Sequence, residues 1–564
     1  MHPTPCRFAA VAALLSLAAC SHGADGPTIV VTVSPATAAV VVGETAQFAA
    51  TVANSTSNSV TWSVAEGTAG GTVSATGLYT APPLPGSFHV VATSLADTSK
   101  KGTATVGVVP LPACTPPPPQ PAAIPASQVL QLGVHAVGET ATFQVPASTG
   151  SLTILQQGTE PLAAQTVTYR GTRIGNTVVP LTVKVGATTF YDDNAAPPDD
   201  PASWNGPGQI GTIFFGTSAP WTATMTVPNT TRMLDYVATS GGVPSGTWSV
   251  VVNDYAEECR LIGRPDCVIG DGTATYPPGK YDVKVLLKPG TVSATGVLDV
   301  RFYLVTEALT AATAPTDPSV IRMIQTLTTL FASAGVTLGS IGSGSFVDAP
   351  EAVKVFFASG VNADESGPCS EVASILQLAA PGNVMNVFLV SQLNSTQPGT
   401  GIIVGLDGTI PGPSSVGGTV ASGALVSVQD LSGGGTAACQ GPVNLTACGA
   451  DRTAYIAAHE TGHFAGLYHA TEAPGTFFDP VKDTPTCLCS ACAPAAEKVN
   501  CYAGGAVTST TYDVTTIDCT KFPTDPASVC GGGENLMFWL LGSRSTGTVT
   551  PQQSSIIRAN ALVR

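Results

Sequence analysis

The sequence predicts a multidomain chain: an N-terminal β-sandwich, a middle all-β domain, and a C-terminal α/β domain. Three observations predict this. Apolar and polar residues alternate in short runs from Thr28 to about Gly290, a proline-rich segment at 110–125 divides that stretch, and after residue 294 strand-like runs alternate with helical periodicity. At 564 residues the chain has room for several domains, each large enough to bury a core.

Residues 1–19 read as an export signal. Arg7 precedes an apolar run from Phe8 to Ala19, interrupted by Ser16 and too short to persist as a membrane span. Its end, Leu17-Ala18-Ala19-Cys20, resembles the lipobox of bacterial lipoproteins, which implies that Cys20 is lipidated and that 20–27 is a membrane tether. Ser21, in place of aspartate, implies the outer membrane by the same resemblance; a plain secretory signal is the alternative. Lysine and arginine number 22 against 37 acids, for a net charge of −15, so the surface repels nucleic acid. Setting aside Cys6 and Cys20, twelve of the 14 cysteines remain, and in an exported chain disulfides are the default.

Residues 28–109 carry a sandwich pattern, as in Ile29-Val30-Val31-Thr32-Val33. From Val60-Thr61-Trp62-Ser63-Val64 to Gly77-Leu78-Tyr79-Thr80-Ala81-Pro82 the region resembles bacterial Ig-like domains, which implies that Trp62 is a core tryptophan. The linker at 110–125, with Cys114-Thr115-Pro116-Pro117-Pro118-Pro119, is stiff. In 126–293 the period of two returns in Ser151-Leu152-Thr153-Ile154-Leu155 and Thr247-Trp248-Ser249-Val250-Val251-Val252. The tract Pro244-Ser245-Gly246-Thr247-Trp248 resembles jelly-roll domains appended to peptidases. The region is read as an accessory domain or a propeptide. Asp192, Asp193, Asp199 and Asp200 read as a solvated loop, with calcium the alternative. Cys259 and Cys267 suit a local loop closure.

Residues 294–564 are expected to form one domain. Val300 to Val305 reads as a strand; Asp317 caps a helix with Pro318 in its first turn, an apolar face of Val320, Ile324, Leu327 and Phe331, and Gly335 after its end. Strands are expected at Val384 to Val390, Gly401 to Leu406 and Leu425 to Val428. Asp451 is placed to cap the next helix, and Thr550-Pro551-Gln552-Gln553 starts a terminal one. Nine cysteines follow residue 300; Cys487, Cys489 and Cys492 are expected to bridge with Cys501, Cys519 and Cys530, with a second metal site the alternative, and the odd cysteine pairs with Cys114 or stays free.

His459 to His469 carries the chemistry. His459 and His463, four apart, lie on one helix face with Cβ atoms about 5–6 Å apart, so both imidazoles can reach one metal. Gly466 lets the chain turn out of the helix and return His469 as third ligand. The fourth position is left for water, whose proton Glu460 can accept and later hand to a leaving amine. Of seven histidines in the chain, those beyond His135 all belong to this segment.

The HExxHxxGxxH pattern resembles the metzincin zinc peptidases, and the resemblance extends to Met537, whose place downstream of the third ligand matches their Met-turn. Within that clan Asp483-Thr484-Pro485 and the following cysteine-rich stretch are most similar to the pappalysin family. Ala470 departs from the threonine usual there, and Trp539 stands where some metzincins have a tyrosine, so no tyrosine is assigned to catalysis. The resemblance implies an α/β metzincin domain with one catalytic Zn2+, a peptide substrate lying along a sheet edge, and calcium near Asp479 and Asp483. Those two acids serve equally as loop and capping residues. A monomer is expected, tethered to the membrane through its lipid. The rival reading is a catalytically degenerate adhesion or binding lipoprotein, against which the intact Glu460 argues.

Overall fold

The computed structural model describes residues 28–43, 45–82, 84–109, 128–159, 167–169, 172–173, 178–195, 211–215, 221–254, 267–269, 279–364, 370–395, 403–472, 478–485, 532–541 and 546–564. The lipobox with Cys20, the proline-rich linker, Cys259, Asp199, Asp200 and the cysteines from Cys487 to Cys530 lie outside them. The chain is multidomain and dominated by β-sheet. It divides into two units, Met1–Gly107 and Val108–Arg564.

In the first unit β1 (Thr37–Val41), β2 (Val60–Val64), β3 (Gly86–Ser94) and β4 (Lys101–Val109) form a sheet in the order β1-β4-β3-β2. Val30–Ser34 pairs antiparallel with Ala49–Ala53. The core aromatics are Phe48 and Tyr79, packed edge-on, with the Tyr79 hydroxyl donating to Gly70 O. Trp62 is only half-buried. It sits on β2, an edge strand, and its ring covers Gly77 at the flank, so the expected core tryptophan is not the centre of this domain.

The second unit begins with a sandwich: β5 (Val129–Ala136), β6 (Thr140–Val145), β7 (Thr149–Gly158), β8 (Val178–Val185), β9 (Thr188–Asp192), β10 (Thr222–Val227), α1 (Thr231–Ser240), β11 (Gly246–Asp254) and β12 (Lys280–Pro289). Two antiparallel sheets, β5-β12-β7-β10 and β6-β11-β8-β9, face each other. Alternation explains the arrangement: Leu152, Ile154, Met225 and Val283 point inward from one sheet and Phe143, Val183, Trp248 and Val250 from the other. Trp248 is wholly buried beside Phe143 and Phe190, and its indole N–H is satisfied by Pro244 O at 2.8 Å. Asp192, the last residue of β9, accepts from Asn194 N, and Asp193 accepts from the Tyr191 hydroxyl.

The remainder contains β13 (Val300–Val305), α2 (Pro318–Ala332), β14 (Phe346–Asp348), α3 (Glu351–Phe356), α4 (Glu371–Leu376), β15 (Met385–Val390), β16 (Gly405–Asp407), β17 (Ala424–Ser427), α5 (Gly449–Phe464) and α6 (Pro551–Ala559). The sheet order is β14-β13-β15-β17-β16, parallel throughout except that β16 runs antiparallel at the edge. The parallel strands β13, β15 and β17 are almost wholly apolar, as strands covered on both faces must be. Leu304, Val387, Leu389 and Val426 share one core with α2 and α5, whereas Tyr303, Phe388 and Leu425 pack with α4 on the opposite face.

Asp317 caps α2 as expected, accepting from Ser319 N and Val320 N, and Gly335 takes a left-handed φ of 71° beyond its end. Asp451 does not cap α5. The N-cap is Cys448, bridged to Cys439, and Asp451 lies inside the first turn, fully buried, where it holds Arg322 of α2 in two bonds of 2.6 and 2.8 Å. This ion pair locks α5 against α2. The sandwich and the α/β layers share one unit through several polar contacts: Ser151 Oγ donates to Ala559 O at 2.6 Å, and Lys288 Nζ to Arg558 O at 2.5 Å and to Val563 O.

Candidate metal centre

Helix α5 carries His459 and His463 on one face in its last turns, and ends at Phe464. Gly466, at φ 109°, then redirects the chain, with its N–H on His463 O and Leu467 N on Gly462 O. His469 returns towards the helix. The three Nε2 atoms meet: His463 lies 3.1 Å from each of the other two, and His459 lies 3.2 Å from His469. Ligands about 2.0–2.1 Å from a tetrahedral ion are about 3.3–3.4 Å apart, so the cluster is the size of a zinc site.

The opposite ring nitrogens are all occupied. His459 Nδ1 is 2.6 Å from Leu536 O and His463 Nδ1 is 2.8 Å from Leu467 O. A carbonyl oxygen only accepts, so each Nδ1 carries the proton and each Nε2 presents a lone pair. His469 Nδ1 pairs with Glu472 Oε2 at 2.9 Å. Burial, then the charge of His469, push His463 down to about 3, opposed by its bond to Leu467 O; a neutral imidazole is the form that binds metal. At His469 burial works against protonation, but the charge and hydrogen bond of Glu472, with Asp407, raise it overall. Among the described residues, these three histidines form the group whose ligand atoms all lie within 4.8 Å of one another.

Glu460 is buried beside them. Burial raises its proton affinity well above the ordinary carboxylate range, Asp407 adds to that, and the Asp407 N–H works the other way. Room for it comes from Gly405 on β16: a Cβ there would stand 2.4 Å from Glu460 Oε1 and 2.6 Å from Ile456 Cγ2. The Glu460 carboxyl is thus held under the edge strand.

Met537 lies beneath the histidines, wholly buried, with its sulfur so close to α5 that a Cβ at Gly462 would be 2.6 Å from Sδ. Its turn is tied to the site at both ends. Leu536 O accepts from His459 and from the Tyr455 hydroxyl at 2.8 Å, and Met537 O accepts from Ala470 N at 2.8 Å. Asn535 Oδ1 accepts from Met537 N and exchanges amide bonds with Gln553 of α6.

Asp479 and Asp483 are close in sequence but are bonded into the chain. Asp483 accepts from Thr550 Oγ1 and Gln552 N, holding the start of α6, and Asp479 Oδ2 accepts from Thr484 Oγ1 and Gln553 Nε2. Burial raises the Asp479 carboxyl well above its ordinary range despite those bonds. Sequence reading missed Glu472 and Asp407. Glu472 had a signal, three residues past His469; Asp407 had none, since only the fold brings its strand over α5.

No protein-family model matches the chain, and no curated protein matches it. Among solved structures, the mixed-linkage glucan utilization locus protein SGBP-B of Bacteroides ovatus, in complex with a mixed-linkage heptasaccharide, matches with 13% identity over 45% of this chain and 50% of that one, at a TM-score of 0.12. The chain spans half the length of that protein. Carbohydrate-binding modules of a β-sandwich superfamily match with 12% identity over 47% of this chain and 98% of theirs, at a TM-score of 0.15. At such scores neither match carries an argument about fold or function. Among the described residues no helix is long and apolar enough to cross a membrane.

Proposed function

We propose that this chain is an exported zinc endopeptidase of the metzincin type, most like the pappalysins, acting on extracellular or envelope proteins. One observation carries the reading: three Nε2 atoms converge within 3.2 Å while every Nδ1 is bonded outward, with the carboxyl of Glu460 buried alongside. Histidines packed for structure alone have no reason to turn three ring nitrogens on one point. Bound zinc supplies Lewis acidity and a water that loses its proton near neutral pH.

The chain's own groups do the rest. His459, His463 and His469 would hold the ion; Glu460, its proton affinity raised by burial, takes a proton and returns it to the departing amine. The outer edge of β16 has no partner strand among the described residues, and an extended peptide would lie along it beside Glu460. The bonds from Ser151, Lys288 and Thr231 to the α6 region favour a retained accessory sandwich over a propeptide. Cys20 supports a lipoprotein on the outer membrane.

Cleavage of an unfolded protein substrate tests this. Activity is expected in wild type, lost with a chelator and restored by zinc, and lost in Glu460→Ala with the fold intact. Unchanged cleavage by folded Glu460→Ala would sink the mechanism.

A further inference from the structure

We propose that Asp407, which touches no ligand atom in the histidine cluster, is a positioning residue for the metal: its buried carboxylate supplies negative charge that raises the affinity of the three-histidine site for a divalent cation. The proposal rests on the zinc-peptidase reading above and assigns a function to a residue outside the HExxHxxGxxH pattern.

Strand geometry places the side chain. Leu406 packs with the cluster on the far side of the sheet, so its neighbours Gly405 and Asp407 face α5. Gly405 confirms that face, since any side chain there would meet Glu460 and Ile456 of α5. Asp407 therefore stands two residues along the same face. Its N–H supports the Glu460 carboxylate, and its own charge acts on Glu460 and His469.

The carboxylate is poorly served by the protein around it. Asp407 Oδ2 is closed off from solvent without a hydrogen-bond partner, and so is Thr409 Oγ1 two residues on. The backbone N–H groups of Asp407 and Thr409 help its ionised form; the charged groups acting on it and its neighbour are Glu460, a second carboxylate, and His469. A buried carboxylate without a cation costs stability. A dication among three neutral imidazoles would relieve that cost. The metal-free chain thus bears a strain that metal binding removes, and that difference between the two states appears as affinity.

The test measures zinc affinity by competition with a chelating dye at pH 8, together with melting temperatures of metal-free and zinc-loaded protein. Asp407→Asn keeps the shape and removes the charge. Its zinc affinity is expected to fall by about ten- to a hundredfold, while its metal-free form melts at or above wild type, so that the upward shift caused by zinc shrinks. Asp407→Ser, which needs no isosteric fit, should lose affinity in the same range. A merely structural Asp407 would lower both melting temperatures equally and leave affinity alone. That result, or wild-type affinity in either folded variant, overturns the proposal. A wild-type chain with no zinc affinity overturns the peptidase reading as well, so the two failures are distinguishable.

Discussion

Replacing Asp451 by alanine should cost this protein about 3–5 kcal/mol, the range for breaking a buried ion pair from one side. The carboxylate accepts from Arg322 Nε at 2.6 Å and Nη2 at 2.8 Å, from Thr326 Oγ1 at 2.5 Å and from Asn444 N at 2.7 Å. Asp451 is fully buried and the Arg322 side chain is 17% exposed, so water replaces little of what is lost. Arg322 keeps Gly441 O and Pro442 O as acceptors, which holds the cost within this range instead of above it. Urea unfolding followed by circular dichroism measures the loss. In an Arg322→Met background the same substitution should cost far less, because no stranded guanidinium remains. Burial opposes ionisation of Asp451, but its bonds to Arg322, Thr326 and Asn444 outweigh that and hold its pKa below the ordinary value. A depressed folded pKa stabilises above the unfolded value of about 3.9 and is lost as pH falls through the folded one. The gap between wild type and Asp451→Ala should therefore be full at pH 7 and close below about pH 4. A cost under about 1 kcal/mol at pH 7, or strict additivity with Arg322→Met, would refute the reasoning.

Other expectations follow from the same contacts. Gly405→Ala drives a methyl to 2.4 Å from Glu460 Oε1, so peptide cleavage should fall by at least about a hundredfold while zinc content holds; full activity would show that β16 does not confine the base. Reducing the Cys439–Cys448 bridge, or replacing both cysteines by serine, should destabilise by up to about 3 kcal/mol by freeing the chain that enters α5, read as a lower urea midpoint. N-terminal sequencing of active enzyme should find the sandwich retained; an active form beginning after residue 293 would make it a propeptide.

Much of the site was legible because its logic is local. The i, i+4 histidines, the turn at Gly466 and the cap at Asp317 depend on helix geometry, and the structure places them as their spacing implies. Local pattern failed where tertiary contacts decide. Asp451 reads as a cap because aspartate is common there, yet it lies inside the first turn and pairs with Arg322, 129 residues away. Trp62 reads as a core residue from the resemblance to Ig-like domains, but its strand lies at a sheet edge. Leu536 O and Leu467 O orient two histidines through backbone atoms, for which no side-chain pattern exists.

The central claim is that three histidines hold zinc for Glu460 to work beside. Elemental analysis of the folded wild-type chain, exposed to zinc and then freed of excess metal, tests it most directly. One zinc per chain is predicted, falling to none in His463→Ala. A wild-type protein that folds and carries no zinc would contradict the account.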